Sequence, residues 1–150
     1  MLIRKACIED ESRVISLLKQ FPSGLEGVDW EAAARTFRQI VQNPELGAIL
    51  VAEDNGEVVG VTTLSYPTAI RCGGLYCCIE ENIVDGRCRG KGVGGKLLKA
   101  AIAEATSKGC DEIQVNGPSE MGYPLYLRNG LKDIGKHLKV KLPLQDASMG

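Results

Sequence analysis

Residues 87–98 read R-C-R-G-K-G-V-G-G-K-L-L, and no other run in the chain restricts its folding so tightly. Glycines fall at positions 90, 92, 94 and 95, and residues without a Cβ let a backbone turn sharply and expose successive N–H groups. Leu97, Leu98, Ala101, Ile102 and Ala105 then recur at helical spacing, so the turn opens directly into a helix. Upstream, Leu75 to Val84 is apolar, aromatic and β-branched, the composition of a strand. A strand, a glycine turn and a helix N-terminus predict an anion site, because unpaired N–H groups and the positive end of the helix dipole converge there. Arg87, Arg89, Lys91, Lys96 and Lys99 add positive charges with no acid between them. The predicted ligand carries a phosphate or pyrophosphate; the plainer alternative is a structural turn with a solvated basic rim.

Three motifs overlap here. Gly90 to Leu97 fits the P-loop pattern G-x-x-x-x-G-K-[ST] except at its last position, where Leu97 has no hydroxyl for Mg²⁺. Gly90, Gly92 and Gly95 also spell G-x-G-x-x-G. A dinucleotide fold wants that first glycine almost at the strand end and an acid closing the next strand. Here Asp85 to Arg89 intervene, and Asp111 and Glu112 open the following apolar run. The third reading fits best. The run from Val84 through Leu98 resembles the acetyl-CoA signature of the GNAT N-acetyltransferase superfamily, a strand ending in Val, a short gap, then [R/Q]-x-x-G-x-[G/A] at a helix start. Val84, Arg89, Gly92 and Gly94 occupy its positions. The resemblance implies that Arg87, Arg89, Gly90, Lys91, Gly92, Val93, Gly94 and Gly95 hold the pyrophosphate of acetyl-CoA, and that the main-chain groups of Ile83 and Val84 align its pantetheine arm.

The remaining chain is consistent with that reading. One hundred and fifty residues suit a single domain, 1–150, large enough for a core. A net charge of −1 gives no general pull toward nucleic acid or membrane, so the basic cluster is local. No apolar run approaches the roughly 20 residues of a membrane helix. Six cysteines without C-x-x-C spacing and a single histidine predict reduced thiols, no metal and a cytoplasmic setting.

Leu2 to Cys7 is a short strand candidate, and Asp10 is placed to cap a helix with Val14, Leu17, Leu18 and Phe21 on one stripe. Asp29 caps a second, with Trp30, Ala33, Phe37, Ile40 and Val41 inward. Two strands, Ala48–Glu53 and Glu57–Ser65, flank the hairpin signal Asp54-Asn55-Gly56. After the strand at Leu75–Val84 and its helix, which stops at Gly109, come a strand at Ile113–Asn116, a short helix near Pro124 and a last strand at Lys136–Leu142. The order β-α-α-β-β-β-α-β-α-β predicts an α/β fold of α+β type, with a mixed, mostly antiparallel twisted sheet flanked by helices. GNAT proteins share this order.

The resemblance also says where to look for chemistry. Acetyl transfer to an amine needs a base for the amine, donors for the oxyanion and a proton for the leaving thiolate. Tyr126 begins Y-L-R-N-G-L, which looks like the family's Y-x-x-x-G-[F/Y], whose tyrosine commonly acts as general acid on the CoA sulfur. Leu131 stands for the usual aromatic residue, and Ser119 for the asparagine common seven positions before the tyrosine. Packing against the sheet is the bland alternative for Tyr126. Simple alternation sets Glu80, Asn82 and Val84 on one face of their strand, making Glu80 the candidate base or substrate anchor. Glu81, on the otherwise apolar face, marks a candidate β-bulge. The run I-E-E-x-x-V resembles the I-E-D-x-x-V strand of glucosamine-phosphate acetyltransferases, whose first acid faces substrate. Structural ion pairing is the alternative for both glutamates. A base on the fifth strand, twelve positions before the tyrosine, would be Gln114, which cannot titrate.

The expected function is acetyl-CoA-dependent transfer of an acetyl group to a primary amine, on a small molecule or else a peptide, by direct attack. Homodimerisation is compatible with this reading, and no nucleic-acid or membrane partner is expected. The loops Phe21–Asp29 and Tyr66–Gly74 are expected to wall the acceptor site. The alternatives are a CoA-binding regulatory module that has lost its chemistry, and a nucleotide-binding protein using the same glycines.

Overall fold

Alternating and continuous apolar runs become strands where a partner edge exists, and the computed structural model, which describes residues 1–143, shows which runs find one. In chain order the elements are β1 (Leu2–Lys5), α1 (Glu11–Leu18), α2 (Trp30–Gln42), β2 (Gly47–Asp54), β3 (Glu57–Ser65), β4 (Thr68–Ala69), β5 (Gly74–Leu75), β6 (Cys77–Val84), α3 (Val93–Lys108), β7 (Ile113–Val115) and α4 (Tyr123–Arg128). The main sheet runs β1-β2-β3-β6-β7. Its pairs are antiparallel except β6 with β7. This is a mixed α+β architecture with a mostly antiparallel sheet flanked by helices. The loop after Tyr66 folds on itself, with β4 and β5 pairing as a separate clip.

The β2–β3 hairpin closes as its sequence demands, with Asn55 at φ 51° and Gly56 at φ 78°, both central residues left-handed as a type I′ turn requires. One face of the sheet carries α3, where Leu97, Leu98, Ala101 and Ala105 pack with Leu50, Leu64 and Ile79. Gly60 permits this docking: a Cβ there would come within 3.0 Å of Leu97 Cδ1 and 3.1 Å of Val93 Cγ1. The other face carries α1 and α2, with Val14, Leu17 and Phe37 against Val51, Val61 and Ile83. Asp29 caps α2 as expected, its Oδ1 accepting from the N–H groups of Glu31 and Ala32, each at 3.1 Å.

Three sequence expectations are corrected. Asp10 precedes α1 but makes no side-chain cap to it. Its carboxylate accepts instead from Arg4 at 2.8 Å and from the Cys7 N–H at 2.8 Å, because a guanidinium offers stronger, charge-assisted donors. Residues Lys136–Leu142 form no strand. A strand needs a partner edge, and the neighbouring β7 is only three residues long. Leu138 and Leu142 therefore stay 89% and 78% exposed. The third concerns strand parity in β6. Thr63 pairs with Glu81 but Leu64 pairs with Ile79, leaving Glu80 as an extra, bulged residue.

Candidate active site

The bulge decides how β6 presents its side chains. Glu80 Oε2 accepts from Ser65 Oγ at 2.6 Å, and Glu81 Oε1 accepts from Thr63 Oγ1 at 2.5 Å. Ser65 and Thr63 are two apart on β3 and share a face, so both glutamates lie on the α1/α2 side. Asn82 lies on the α3 side, hydrogen-bonded to Thr62. Glu80 and Asn82 are therefore not face-mates, and the polar face read from simple alternation does not exist. Glu81 is the more deeply placed acid, half-buried where Glu80 is exposed. Burial pushes its carboxyl above the ordinary Glu range, against the pull of the Thr63 hydroxyl and with the Glu80 charge adding to the rise.

Across the strand, α4 delivers Tyr126 to the α3 side. Pro124 sits in the first turn, and the Ser119 Oγ and main-chain oxygen accept from the Gly122 N–H at 3.0 and 3.1 Å. Tyr126 is 6% exposed, and its hydroxyl accepts a hydrogen bond from Asn82 Nδ2 at 3.1 Å. Thr62 Oγ1 in turn donates to Asn82 Oδ1 at 2.7 Å, which fixes the orientation of the amide. Because the phenol accepts from Asn82, its own proton remains free to be donated elsewhere. Burial raises the Tyr126 pKa, with the Asn82 bond acting against it, so the hydroxyl is protonated at neutral pH. Sequence reasoning named Asn82 only as a face-mate of Glu80 and missed Thr62; the polar residues beside them, Thr63 on β3 and Glu80 and Glu81 on β6, hid the pair.

β7 pairs with β6 only from Cys77 to Ile79, while β6 continues to Val84 paired to β3 on its other edge. Residues 80–84 thus offer an edge with no strand partner among the described residues. That edge runs into the glycine turn. Gly90 and Gly92 take φ of 82° and 80°, and Gly92 is the N-cap of α3. A Cβ on either would meet nothing within 4 Å, so the turn is open on that side. Gly94 and Gly95 lie inside α3 rather than in the turn. A Cβ on Gly94 would stand 3.3 Å from Leu125 Cδ2, a tight contact with α4, whereas one on Gly95 would stand at 3.7 Å, an ordinary contact.

The basic residues of the run are not equivalent. Arg87 donates to Asp85 at 2.9 Å and to Glu57 at 3.0 Å. Asp85, 3% exposed, also accepts from Arg13 of α1 at 2.6 Å, and these partners hold its carboxyl well below the usual range, Arg87 contributing most. Arg89 donates through Nε to the Val84 carbonyl at 3.3 Å, and Lys91 is exposed. Ile83 is buried in the α1/α2 core, whereas Val84 packs toward α3. Cys77 and Cys78 offer no nucleophile: burial pushes Cys77 up to about 12 and Cys78 to about 11. No helix of the described residues is long and apolar enough to cross a membrane.

A cavity of about 230 Å³ lies between α1, α2 and the sheet, with Thr63 and Glu81 in its wall. Of the two loops expected to wall an acceptor site, Phe21–Asp29 contributes Leu25 and Val28; no residue of Tyr66–Gly74 lines this cavity.

Residues 13–130 match the model of the acetyltransferase (GNAT) family. The chain is 31% identical over 138 residues to the "uncharacterized N-acetyltransferase YhfO" of Bacillus subtilis (strain 168), covering 89% of this chain and 91% of that protein. Its fold is similar to that of glucosamine-6-phosphate N-acetyltransferase from Arabidopsis thaliana, with TM-score 0.79, 24% identity and coverage of 94% and 97% of the two chains. It is also similar to a predicted acetyltransferase with acetyl-CoA from Clostridium acetobutylicum, with TM-score 0.78, 21% identity and coverage of 94% and 96%.

Proposed function

This chain belongs to the acetyltransferase (GNAT) family, and from that premise we propose that it transfers an acetyl group from acetyl-CoA to a primary amine by direct attack. The observation that carries the proposal is the arrangement around β6. Its free edge leads into an open glycine turn, and a buried tyrosine and a half-buried glutamate flank the strand on opposite faces.

In this reading the main chain of Ile83 and Val84 pairs with the pantetheine arm as an added strand would. The turn from Arg87 to Gly92 and the first turn of α3, Val93 to Gly95, receive the pyrophosphate on their main-chain N–H groups, with Arg89 and Lys91 supplying charge. Arg87, already paired to Asp85 and Glu57, serves chiefly to hold the turn against the strand end. On the α1/α2 side a carboxylate takes a proton from the incoming ammonium. We assign this to Glu81 rather than Glu80, because a half-buried acid with a raised pKa is the better base near neutrality. Glu80, exposed and bonded to Ser65, does not line the cavity beside Glu81. The neutral amine attacks the thioester carbonyl, forming a C–N bond as the C–S bond breaks. Tyr126 gives its proton to the departing sulfur, Asn82 and Thr62 hold the hydroxyl for that transfer, and the attacking nitrogen sheds its second proton to solvent as the amide forms, from which the phenolate is reprotonated.

Calorimetric titration with acetyl-CoA, CoA, ATP and NAD tests the premise. Acetyl-CoA and CoA should bind, and ATP and NAD should not. Release of free thiol from acetyl-CoA in the presence of an amine panel then separates an enzyme from a binding module. Binding without turnover of any amine would leave the module.

A further inference from the structure

The cavity beside Glu81 has a composition that bears on its occupant. Helix α1 lends it Val14 and Leu18, α2 lends Trp30, Ala33 and Phe37, and the sheet lends Ile49, Thr63 and Glu81. Glu81 is the only charged residue among the described residues that line it. No cation lines it to meet a phosphate, and the nearest second acid, Glu80, is exposed and outside the lining, so it is not placed to meet a second ammonium within it. Trp30 and Ala33 are left only half-buried, so two of the apolar residues on the inner stripe of α2 border the cavity rather than fill the core.

Resting on the acetyl-transfer reading above, we propose that the acceptor is a small primary amine carried on an apolar or aromatic body, its ammonium at Glu81 and its body between α1, α2 and the sheet. Charge complementarity places the nitrogen: an ammonium entering an apolar wall needs its one carboxylate partner. Size limits the body, since about 230 Å³ falls below the roughly 300–1,000 Å³ of sites for drug-sized ligands. The same lining rejects two common acceptor types. A polyamine would strand its second ammonium in apolar surroundings, and a sugar phosphate would bring its anion toward Glu81 without a compensating cation.

The test uses one wild-type protein and two independent readouts. Trp30 is the only tryptophan of the chain, so its fluorescence reports entry into the cavity whether or not chemistry follows. The probes are n-alkylamines from propylamine to hexylamine, 2-phenylethylamine, spermidine and glucosamine 6-phosphate, each added to the CoA-loaded protein and, separately, assayed with acetyl-CoA. Across the alkylamines the ammonium stays constant and only the body grows. Affinity by Trp30 fluorescence and kcat/KM should each rise about fourfold per methylene, the equivalent of roughly 0.8 kcal/mol, until the cavity is full. 2-Phenylethylamine should exceed spermidine and glucosamine 6-phosphate by at least about tenfold in both readouts. Ala33→Leu, which adds bulk to the wall, should move the optimum to a shorter amine while acetyl-CoA affinity stays constant.

Turnover confined to spermidine or glucosamine 6-phosphate, or a flat alkylamine series, overturns the inference and leaves the acetyltransferase reading standing. Saturable Trp30 quenching by the apolar amines without any turnover supports the cavity assignment and removes the enzyme. Neither quenching nor turnover overturns both.

Discussion

At Tyr126 one hydrogen bond separates a packing residue from an acid. The phenol accepts from Asn82, which leaves its proton for another partner, and Tyr126→Phe keeps the ring in its pocket while removing that proton. kcat should fall by about 10²–10⁴, the range of general acid catalysis, with acetyl-CoA affinity nearly constant. The loss should shrink for thioesters with a more acidic leaving thiol, and a variant of normal kcat returns Tyr126 to a packing role. Glu81 makes the complementary case. Its charged form is penalised by burial, so the folded state gains stability as pH falls through the raised pKa, and a neutral isostere should stabilise it near pH 7. Glu81→Gln should therefore melt at a higher temperature than the wild type yet lose about 10²–10⁴ in kcat/KM, together with the acid limb of the pH profile. A lower melting temperature would show that the carboxylate serves structure instead. Neither prediction could be written for Glu81 from simple alternation, which set Glu80 beside Asn82; a single bulged residue reverses parity along the rest of β6.

The strand–turn–helix unit of β6, the glycine turn and α3 was legible as an element, and for a local reason. Every signal it needs lies within about ten residues of its neighbour: the apolar strand, the glycines, the leucine stripe of α3 and the closing Gly109, which is left-handed at φ 87°. The division of labour among the glycines was not legible. Gly92 needs its left-handed backbone, whereas at Gly94 a side chain would press on Leu125 of α4. Gly92→Leu has open space around its Cβ, so the protein should fold at a cost of about 1–2 kcal/mol for the left-handed conformation. Acetyl-CoA affinity measured by titration should drop at least about tenfold, because the new side chain fills the approach to the turn. Unchanged affinity in a folded variant would remove the cradle assignment.

Over the whole molecule, ion clusters tie the N-terminal segment to the sheet at two points. Arg4 joins Asp10 to Glu53 of β2, and Arg13 joins α1 to Asp85 at the end of β6. The Arg4 hydrogen bonds are the first cause that holds the Asp10 carboxyl at about 2, below its ordinary 3.8. The native state therefore binds fewer protons than the unfolded chain across that interval. The stabilisation is complete above about pH 4 and disappears as pH falls toward 2. Urea unfolding from pH 6 to pH 2 should show Asp10→Asn less stable than the wild type by about 1–2 kcal/mol at the upper end, allowing for partial exposure of the cluster. The two proteins should converge at the lower end. A gap that persists at pH 2 would assign the effect to packing.

What depends on neighbours along the chain was legible from residue order alone: the capped α2, the left-handed hairpin turn, the glycine turn opening α3, and the family to which the whole order belongs. Periods of two and 3.6 residues, left-handed glycines and side-chain caps act over a few residues, so they can be read in one dimension. What depends on partners far away in sequence emerged only from the folded chain. Asp10 left its helix for Arg4, Arg87 was drawn to Asp85 and Glu57, Lys136–Leu142 found no edge to join, and the bulge that the sequence marked at Glu81 fell on Glu80 in the register between β3 and β6. The pairing of Tyr126 with Asn82, 44 positions apart, belongs to the same class. A hydrogen bond or ion pair is satisfied by whichever group the folded chain brings within about 3 Å, and sequence distance does not enter that choice.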